Sequence, residues 1–125
     1  MRRILSIGLV VLLVGPGALL RAQTAALELV MFDSAACPFC RQWDEEIGGI
    51  YANTPEGRAA PLRRVDLHET PPSDLREIQR GVIYTPTFVL MLGGEEVGRI
   101  AGYPGEHFFW PLLANLLDEV GVQTN

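Results

Sequence analysis

Apolar residues fall in short blocks along the chain, and their spacing first predicts a strand followed by a helix. The block Leu27–Phe32 is mostly apolar and stops at Asp33, which favours a buried central strand. An amphipathic helix ending near Gly48 is predicted next, because three apolar side chains recur every four residues: Phe39, Trp43 and Ile47. The stretch 53–61 then carries the Pro, Gly and polar residues of a surface loop.

A second strand and helix follow the loop. Leu62–Leu67 alternates between apolar and polar positions, which predicts a strand. Ser73 is expected to cap a short helix. The apolar face of that helix is predicted to hold Leu75, Ile78 and Val82.

The last part of the chain predicts a hairpin and a final helix. Two strands, Thr87–Leu92 and Glu95–Ile100, flank Gly93-Gly94. An apolar helix is expected over Glu106–Val120, with Pro111 in its first turns or at a kink, because proline removes an interior hydrogen bond. At 125 residues the chain has room for one compact domain and not for a second catalytic lobe.

The first 22 residues carry a different pattern. Arg2 and Arg3 precede an apolar run at positions 4–20, which Gly15-Pro16-Gly17 interrupts and small residues follow. This order is typical of a secretory signal peptide, so we expect residues 1–22 to be cleaved, with the cut as late as residue 26 as the other choice. An uncleaved membrane anchor is the alternative, because the run approaches the roughly 20 residues of a spanning helix. The proline between two glycines argues against such a helix.

Charge narrows the class of partner. The whole chain has a net charge of −5, and loss of the signal would leave seven arginines against 15 acidic residues, a net charge of −8. Binding to nucleic acid depends on cations that neutralise phosphates. Nucleic acid is therefore excluded as a partner.

The candidate chemistry lies in Cys37 and Cys40. A thiol is a nucleophile only as the thiolate, which the free N–H groups and the positive dipole end of a helix N-terminus stabilise. Cys37 is predicted at such a terminus, because Pro38 favours the first helical position. Cys40 is near enough to attack a mixed disulfide formed at Cys37 and to release the substrate. The pair can thus exchange two electrons with a disulfide.

Two other uses of the cysteines stay open at this point. A zinc or copper site needs two more ligands, but the chain has two histidines only, His68 and His107, which are far apart and lack a paired motif. We expect both to be exposed and the chain to hold no metal or other cofactor. A purely structural disulfide would close a very short loop, which removes little entropy from the unfolded chain.

The motifs together resemble the thioredoxin family. The resemblance rests on a strand leading into Cys37-Pro38-Phe39-Cys40, on Thr85-Pro86-Thr87 at the start of a later strand, and on Gly94 and Gly102 behind it. It extends over residues 27–121. It implies a thioredoxin-like α/β fold: a central mixed sheet flanked by helices, with the cysteine pair at the N-terminus of the first helix.

The resemblance also implies a peptide-binding groove. It implies a cis bond before Pro86, beside the disulfide, in place of an ordinary trans turn, and a backbone at Thr85 that pairs with the substrate. Gly102 would leave room for the bound chain. Phe39, between the cysteines, is expected to be a partly exposed substrate contact.

Three positions depart from the family's pattern. Ala36 stands where thioredoxins usually have Trp, and Pro38-Phe39 replaces Gly-Pro and is similar to glutaredoxin. Met31 stands where the family has a buried acid, so that proton shuttle is missing or replaced. Asp33 and Glu28 are the nearby candidates, although a solvated strand-end charge is the favoured interpretation of Asp33.

The other notable side chains are assigned to packing or to solvent. Trp43 is expected in the core. Asp44-Glu45-Glu46 is expected to be a solvated helix face, and Phe108-Phe109-Trp110 is expected to pack the last helix on the sheet.

The resulting hypothesis is a periplasmic thiol-disulfide oxidoreductase. The chain lacks the helical insertion of the periplasmic oxidases and the dimerisation domain of the isomerases, so the resemblance implies a small reductase. The segment 102–110 is similar to exported thioredoxins linked to sulfur-oxidation systems. We expect a monomer that reduces a disulfide-containing extracytoplasmic protein, with a membrane thiol transporter as electron donor. An oxidising enzyme, a glutathione-linked enzyme and a metal-binding module are the alternatives.

Overall fold

The apolar block at Leu27 forms the centre of the sheet. The structure, a computed structural model, describes residues 26–124, so the expected signal peptide lies outside the described residues. β1 (Leu27–Asp33) pairs in parallel with β2 (Leu62–Asp66) and antiparallel with β3 (Thr87–Leu92), which pairs antiparallel with β4 (Glu95–Ala101). The order β2-β1-β3-β4 and the flanking helices confirm the predicted α/β fold with a mixed sheet.

The hairpin between β3 and β4 follows the prediction. Gly93 and Gly94 have φ of +58° and +85°, and a two-residue hairpin turn of this kind needs positive φ at both central positions. The two glycines therefore set the register at the turn, where Leu92 pairs with Glu95 and Met91 with Glu96, and a bulge shifts it from Leu90 onward.

The helix that begins at Pro38 changes geometry after Trp43. α1 (Pro38–Trp43) continues as a π-helical segment, Asp44–Gly48, so the helix ends at the predicted glycine. Trp43 is fully buried, which confirms its place in the core, and its ring lies 5.4 Å from the Phe88 ring between centroids. π-Helical turns are rare in proteins and often occur near functional sites.

The stretch 53–61 is not the loop that its composition predicts. A 3-10 turn, Tyr51–Asn53, leads into α2 (Pro55–Ala59). The Thr54 hydroxyl accepts a hydrogen bond from the Gly57 N–H across 3.0 Å, and Pro55 occupies the first helical turn. An N-cap and a proline with a preset φ are enough to start a short helix here.

The prediction that Ser73 caps a helix is wrong. A 3-10 turn, Ser73–Leu75, runs directly into α3 (Arg76–Arg80), and Pro72 stands at the cap position without a side-chain hydrogen bond. The predicted apolar face is nevertheless present. It packs on one side of the sheet, where the cluster includes Leu75, Ile78, Val82, Val30 and Phe32.

The last helix covers the other side of the sheet. α4 (Glu106–Glu119) continues through Pro111, which lies in its second turn. Phe109 is fully buried, but Phe108 is 65% exposed, so the expectation that the whole aromatic run packs on the sheet is wrong for Phe108. Consecutive helical side chains point in different directions and cannot all face one layer. In residues 26–124 no helix has both the length and the apolar character to cross a membrane.

Candidate active site

The two cysteines lie at the start of α1, shortly after the end of β1. Cys37 is the N-cap residue of α1, with φ −102° and ψ 105°, and Pro38 opens the helix. Cys37 and Cys40 form a disulfide, and the Cys40 N–H donates to Cys37 Sγ across 3.1 Å. In the reduced protein this N–H and the helix dipole would stabilise a thiolate at Cys37.

Exposure does not distinguish the two cysteines. Cys37 and Cys40 are 4% and 3% exposed, and both belong to the apolar cluster between the sheet and α4. Their positions in the helix do distinguish them: Cys37 caps it, whereas Cys40 lies inside its first turn. Phe39, between them, is 57% exposed, as expected.

The second part of the site is the turn before β3. The Thr85-Pro86 peptide bond is cis. Three hydrogen bonds hold this segment: the Thr87 hydroxyl donates to the Tyr84 carbonyl at 2.6 Å, the Gly102 N–H to the Pro86 carbonyl at 2.7 Å, and the Arg99 guanidinium to the Gly81 carbonyl at 3.1 Å. The turn is thereby fixed to β4 and to the loop that follows it.

These elements enclose a groove of about 380 Å³, named here the aromatic groove. Its lining consists of Phe39, Tyr84, Thr85, Ala101, Gly102, Tyr103 and Pro104. Three of the predicted site residues, Phe39, Thr85 and Gly102, therefore meet in one place, while Pro86 is buried behind them. None of the lining side chains carries a charge.

Sequence reasoning missed the two tyrosines of this groove. Tyr84 and Tyr103 each stand next to a predicted site residue, Thr85 or Gly102, and that adjacency was the available signal. Gly102 itself has φ of +82°, which favours glycine, and a Cβ added there would meet no protein atom within 4 Å. A side chain at this position would therefore extend into open space beside the groove.

Met31 is fully buried in the same cluster as both cysteines. The position of the family's buried acid is thus occupied by an apolar side chain. Glu28 lies three residues before Met31, and because side chains alternate along a strand it lies on the other face of β1. There Arg63 forms an ion pair with it at 3.4 Å. Glu28 does not replace the missing acid.

The interpretation of Asp33 as a solvated charge is wrong. Its side chain is 18% exposed, and Arg64 donates to it at 2.5 Å and to Asp44 at 2.6 Å. The bonds to both carboxylates raise the pKa of Arg64, Asp44 first. Arg64 therefore ties the end of β1 to the π-helical segment.

Glu46 is also more than part of a solvated face. Its carboxylate accepts a hydrogen bond from the Tyr103 hydroxyl and another, at 2.8 Å, from the Gln42 amide. The bond from Tyr103, followed by that from Gln42, lowers the pKa of Glu46. Burial, followed by the bond to Glu46, raises the pKa of Tyr103. Only Glu45 of the three acids matches the expected exposed position without a hydrogen-bonded partner among residues 26–124.

Neither histidine lines the aromatic groove. His68 and His107 are both exposed, as predicted. In the part of the chain that the structure describes, no three His, Cys, Asp or Glu side chains lie close enough together to hold a metal ion.

Comparisons with known proteins point to one fold. No protein-family model and no curated protein matches the chain. Among solved structures, the periplasmic thioredoxin SoxS from Paracoccus pantotrophus, in its reduced form, is 48% identical, with a TM-score of 0.69, covering 75% of this chain and 98% of that one. Thioredoxin NaTrxh from Nicotiana alata is 26% identical, with a TM-score of 0.55 and coverage of 73% and 74%. Fasciola hepatica thioredoxin, at 23% identity, a TM-score of 0.57 and coverage of 74% and 82%, shares the fold.

Proposed function

The chain belongs to the thioredoxin family and is a thiol-disulfide oxidoreductase, and from that premise we propose that it is a periplasmic reductase of protein disulfides. The observation that carries the proposal is the Cys37–Cys40 disulfide at the start of α1, with Cys37 as the helix cap, beside the uncharged aromatic groove. The likeness to a periplasmic thioredoxin and the signal-like residues 1–22 support the compartment.

The proposed reaction begins with reduced Cys37. Its thiolate attacks one sulfur of the substrate disulfide, a new S–S bond forms, and the other substrate sulfur leaves as a thiolate that takes up a proton. Cys40, deprotonated in turn, attacks Cys37 Sγ, and the first substrate sulfur leaves as the second thiolate. Two electrons have moved to the substrate, and the enzyme is left with the Cys37–Cys40 disulfide seen in the structure.

The aromatic groove is the proposed substrate site. Backbone groups at Thr85, held before Pro86, would pair with an extended segment of the substrate, and Gly102 would leave space for it. Phe39 offers an exposed apolar contact beside the attacking sulfur. The uncharged lining suits a peptide of small or apolar residues better than glutathione, whose two carboxylates would find no cation there. This favours a protein substrate over the glutathione-linked alternative.

The rest of the proposed role concerns partners. Both edge strands carry charged side chains, among them Arg63 and Arg64 on β2 and Glu95 and Glu96 on β4. Charges on edge strands oppose pairing with another chain, which supports a monomer. A membrane thiol transporter is the proposed electron donor, since an extracytoplasmic reductase must be recharged after each turnover.

A trapping experiment tests the proposed order of attack. Cys40→Ser should accumulate a covalent, dithiothreitol-sensitive adduct through Cys37 in the extracytoplasmic fraction, because the mixed disulfide cannot be resolved. The matched control, Cys37→Ser, should give none. No adduct with Cys40→Ser, or the same adduct with both variants, would contradict the assignment. The trapped protein identifies the pathway: a sulfur carrier supports a link to sulfur oxidation, an apocytochrome indicates cytochrome maturation, and glutathione alone supports the rival substrate.

The reduction potential of the Cys37–Cys40 pair tests the direction. We expect a value on the thioredoxin side of about −200 mV. A value near the −120 mV of the strong periplasmic oxidants would assign the chain to disulfide formation. Because about 30 mV corresponds to about 1.4 kcal/mol for this couple, a coarse titration against glutathione or dithiothreitol decides between the two.

A further inference from the structure

The two walls of the aromatic groove come from different parts of the chain. One wall is Phe39 on α1, and the other is the loop Gly102–Pro104 between β4 and α4; Tyr84 and Thr85 also line the groove. The bond from the Gly102 N–H to the Pro86 carbonyl holds the loop to the turn before β3, but it does not connect the loop to the helix. The hydrogen bond from the Tyr103 hydroxyl to Glu46 joins them.

Tyr103 is held in a fixed position by its packing. Its residue is 7% exposed and belongs to the apolar cluster that contains both cysteines, and its ring packs edge-on against Phe109 with 6.0 Å between centroids. One side of the same residue lines the aromatic groove. The ring is thus fixed by α4, and its hydroxyl reaches across to the helix that continues from α1.

Glu46, the other partner in this bond, is also held in place by its neighbours. It lies in the π-helical segment, where Gln42 donates to its other carboxylate oxygen. Glu106 and His107, both at the start of α4, make smaller contributions to the lowered pKa of Glu46. Asp44, two residues earlier, is bonded to Arg64 of β2. The segment is therefore fastened to the sheet edge on one side and to the groove loop on the other.

We propose that Tyr103 and Glu46 form a clamp that positions the two walls of the aromatic groove for protein substrates. Tyr103 and Glu46 are positioning residues in this proposal, since neither exchanges electrons with the substrate. The proposal rests on the proposed role of the groove as the site that binds the substrate chain. A small disulfide that reaches Cys37 without filling the groove does not need the clamp.

The test compares a protein disulfide with a small one for each variant. Insulin is the protein substrate and 5,5′-dithiobis(2-nitrobenzoate) is the small one, with dithiothreitol recharging the enzyme in the insulin assay. Tyr103→Phe and Glu46→Ala should each lower kcat/KM for insulin about fivefold to tenfold, mainly through KM, because the loss of one partly exposed hydrogen bond has an effect of this size. The rate with the small disulfide should stay within about twofold.

Further variants separate a clamp from general destabilisation. The double variant Tyr103→Phe/Glu46→Ala should be no worse than either single variant, because both remove the same bond. Glu46→Gln keeps an acceptor oxygen and should retain most of the insulin activity. Glu45→Ala, an exposed neighbour, is the matched control and should leave both rates unchanged.

Two results would overturn the proposal. One is a parallel fall of both rates in Tyr103→Phe, and the other is an unchanged insulin KM despite a lower Tm, which indicates a purely structural bond. Reduction of insulin by the wild type is measured first. A failure of the proposed reductase role thus shows in the wild type, and a failure of the clamp shows only in the variants.

Discussion

Replacing Thr87 with Val removes one hydroxyl group from the start of β3 and leaves the outline of the side chain almost unchanged. Thr87 is 1% exposed, and among residues 26–124 it is the one polar residue that is classed as buried. Its hydroxyl donates to the Tyr84 carbonyl across 2.6 Å. The bond closes the turn that carries Thr85 into the aromatic groove, so its loss should affect both stability and substrate binding.

The structure sets the expected size of the effect. An acceptor that loses its partner in a buried site costs about 1–3 kcal/mol, and the low end applies here because the Tyr84 carbonyl is only partly enclosed. Val gains some strand propensity in return. We expect a net loss of about 1 kcal/mol, which corresponds to a Tm about 4–8 °C lower for a domain of this size.

The assay is thermal unfolding of the oxidised protein, followed by circular dichroism, together with insulin reduction by the reduced protein. Thr87→Ser is the matched control, because it keeps the hydroxyl and loses a methyl group. Thr87→Val should show the higher KM for insulin of the two. A Tm of Thr87→Val at or above that of the wild type, with an unchanged KM, would refute the reasoning, since the hydroxyl would then hold neither the fold nor the groove.

Two further predictions concern packing and pH. Gly57→Ala should destabilise the domain by about 3 kcal/mol or more, because a Cβ there would lie 1.8 Å from the Tyr51 carbonyl oxygen. Gly49→Ala is the control and should change stability little, because a Cβ there meets nothing within 4 Å. Equal urea midpoints for the two variants would contradict this prediction. The bond from Tyr103 lowers the pKa of Glu46 in the folded protein. The bond should therefore stabilise the fold fully above the ordinary glutamate pKa of about 4.3, and this stabilisation should be lost as the pH falls through the lower pKa that Glu46 has in the folded protein. Urea unfolding should therefore separate wild type from Tyr103→Phe at pH 7 and bring them together in strong acid, and a gap that does not change with pH would count against the bond.

The elements that sequence predicts well are those fixed by local pattern. The apolar run that becomes β1 and the glycine pair between β3 and β4 carry their own structural signals, and both lie within a residue or so of the predicted positions. The start of α1 is equally local, because Pro38 and the preceding cysteine define it. The position of the cysteine pair at the start of a helix is therefore predictable from local sequence alone.

What sequence did not predict depends on partners distant along the chain. The residues next to Asp33 in sequence do not predict its bond to Arg64, and those next to Glu46 do not predict its bond to Tyr103. A carboxylate on a helix or at a strand end is usually solvated, so the general expectation led to the wrong result for both. The short helix after Thr54 was missed for a different reason: a favourable cap and proline outweighed a glycine within the turn.

The strand order has a consequence for how the chain acquires its structure. Of the four strands in the described sheet, β1 is synthesised first and lies in the interior, but its antiparallel partner β3 begins only at Thr87. Closing so long a stretch of chain costs entropy, and folds dominated by distant pairings form slowly. The growing chain should therefore remain unfolded until most of it has left the ribosome. For a protein proposed to work outside the cytoplasm, that delay leaves time for a translocation machinery to engage the chain before its core can close.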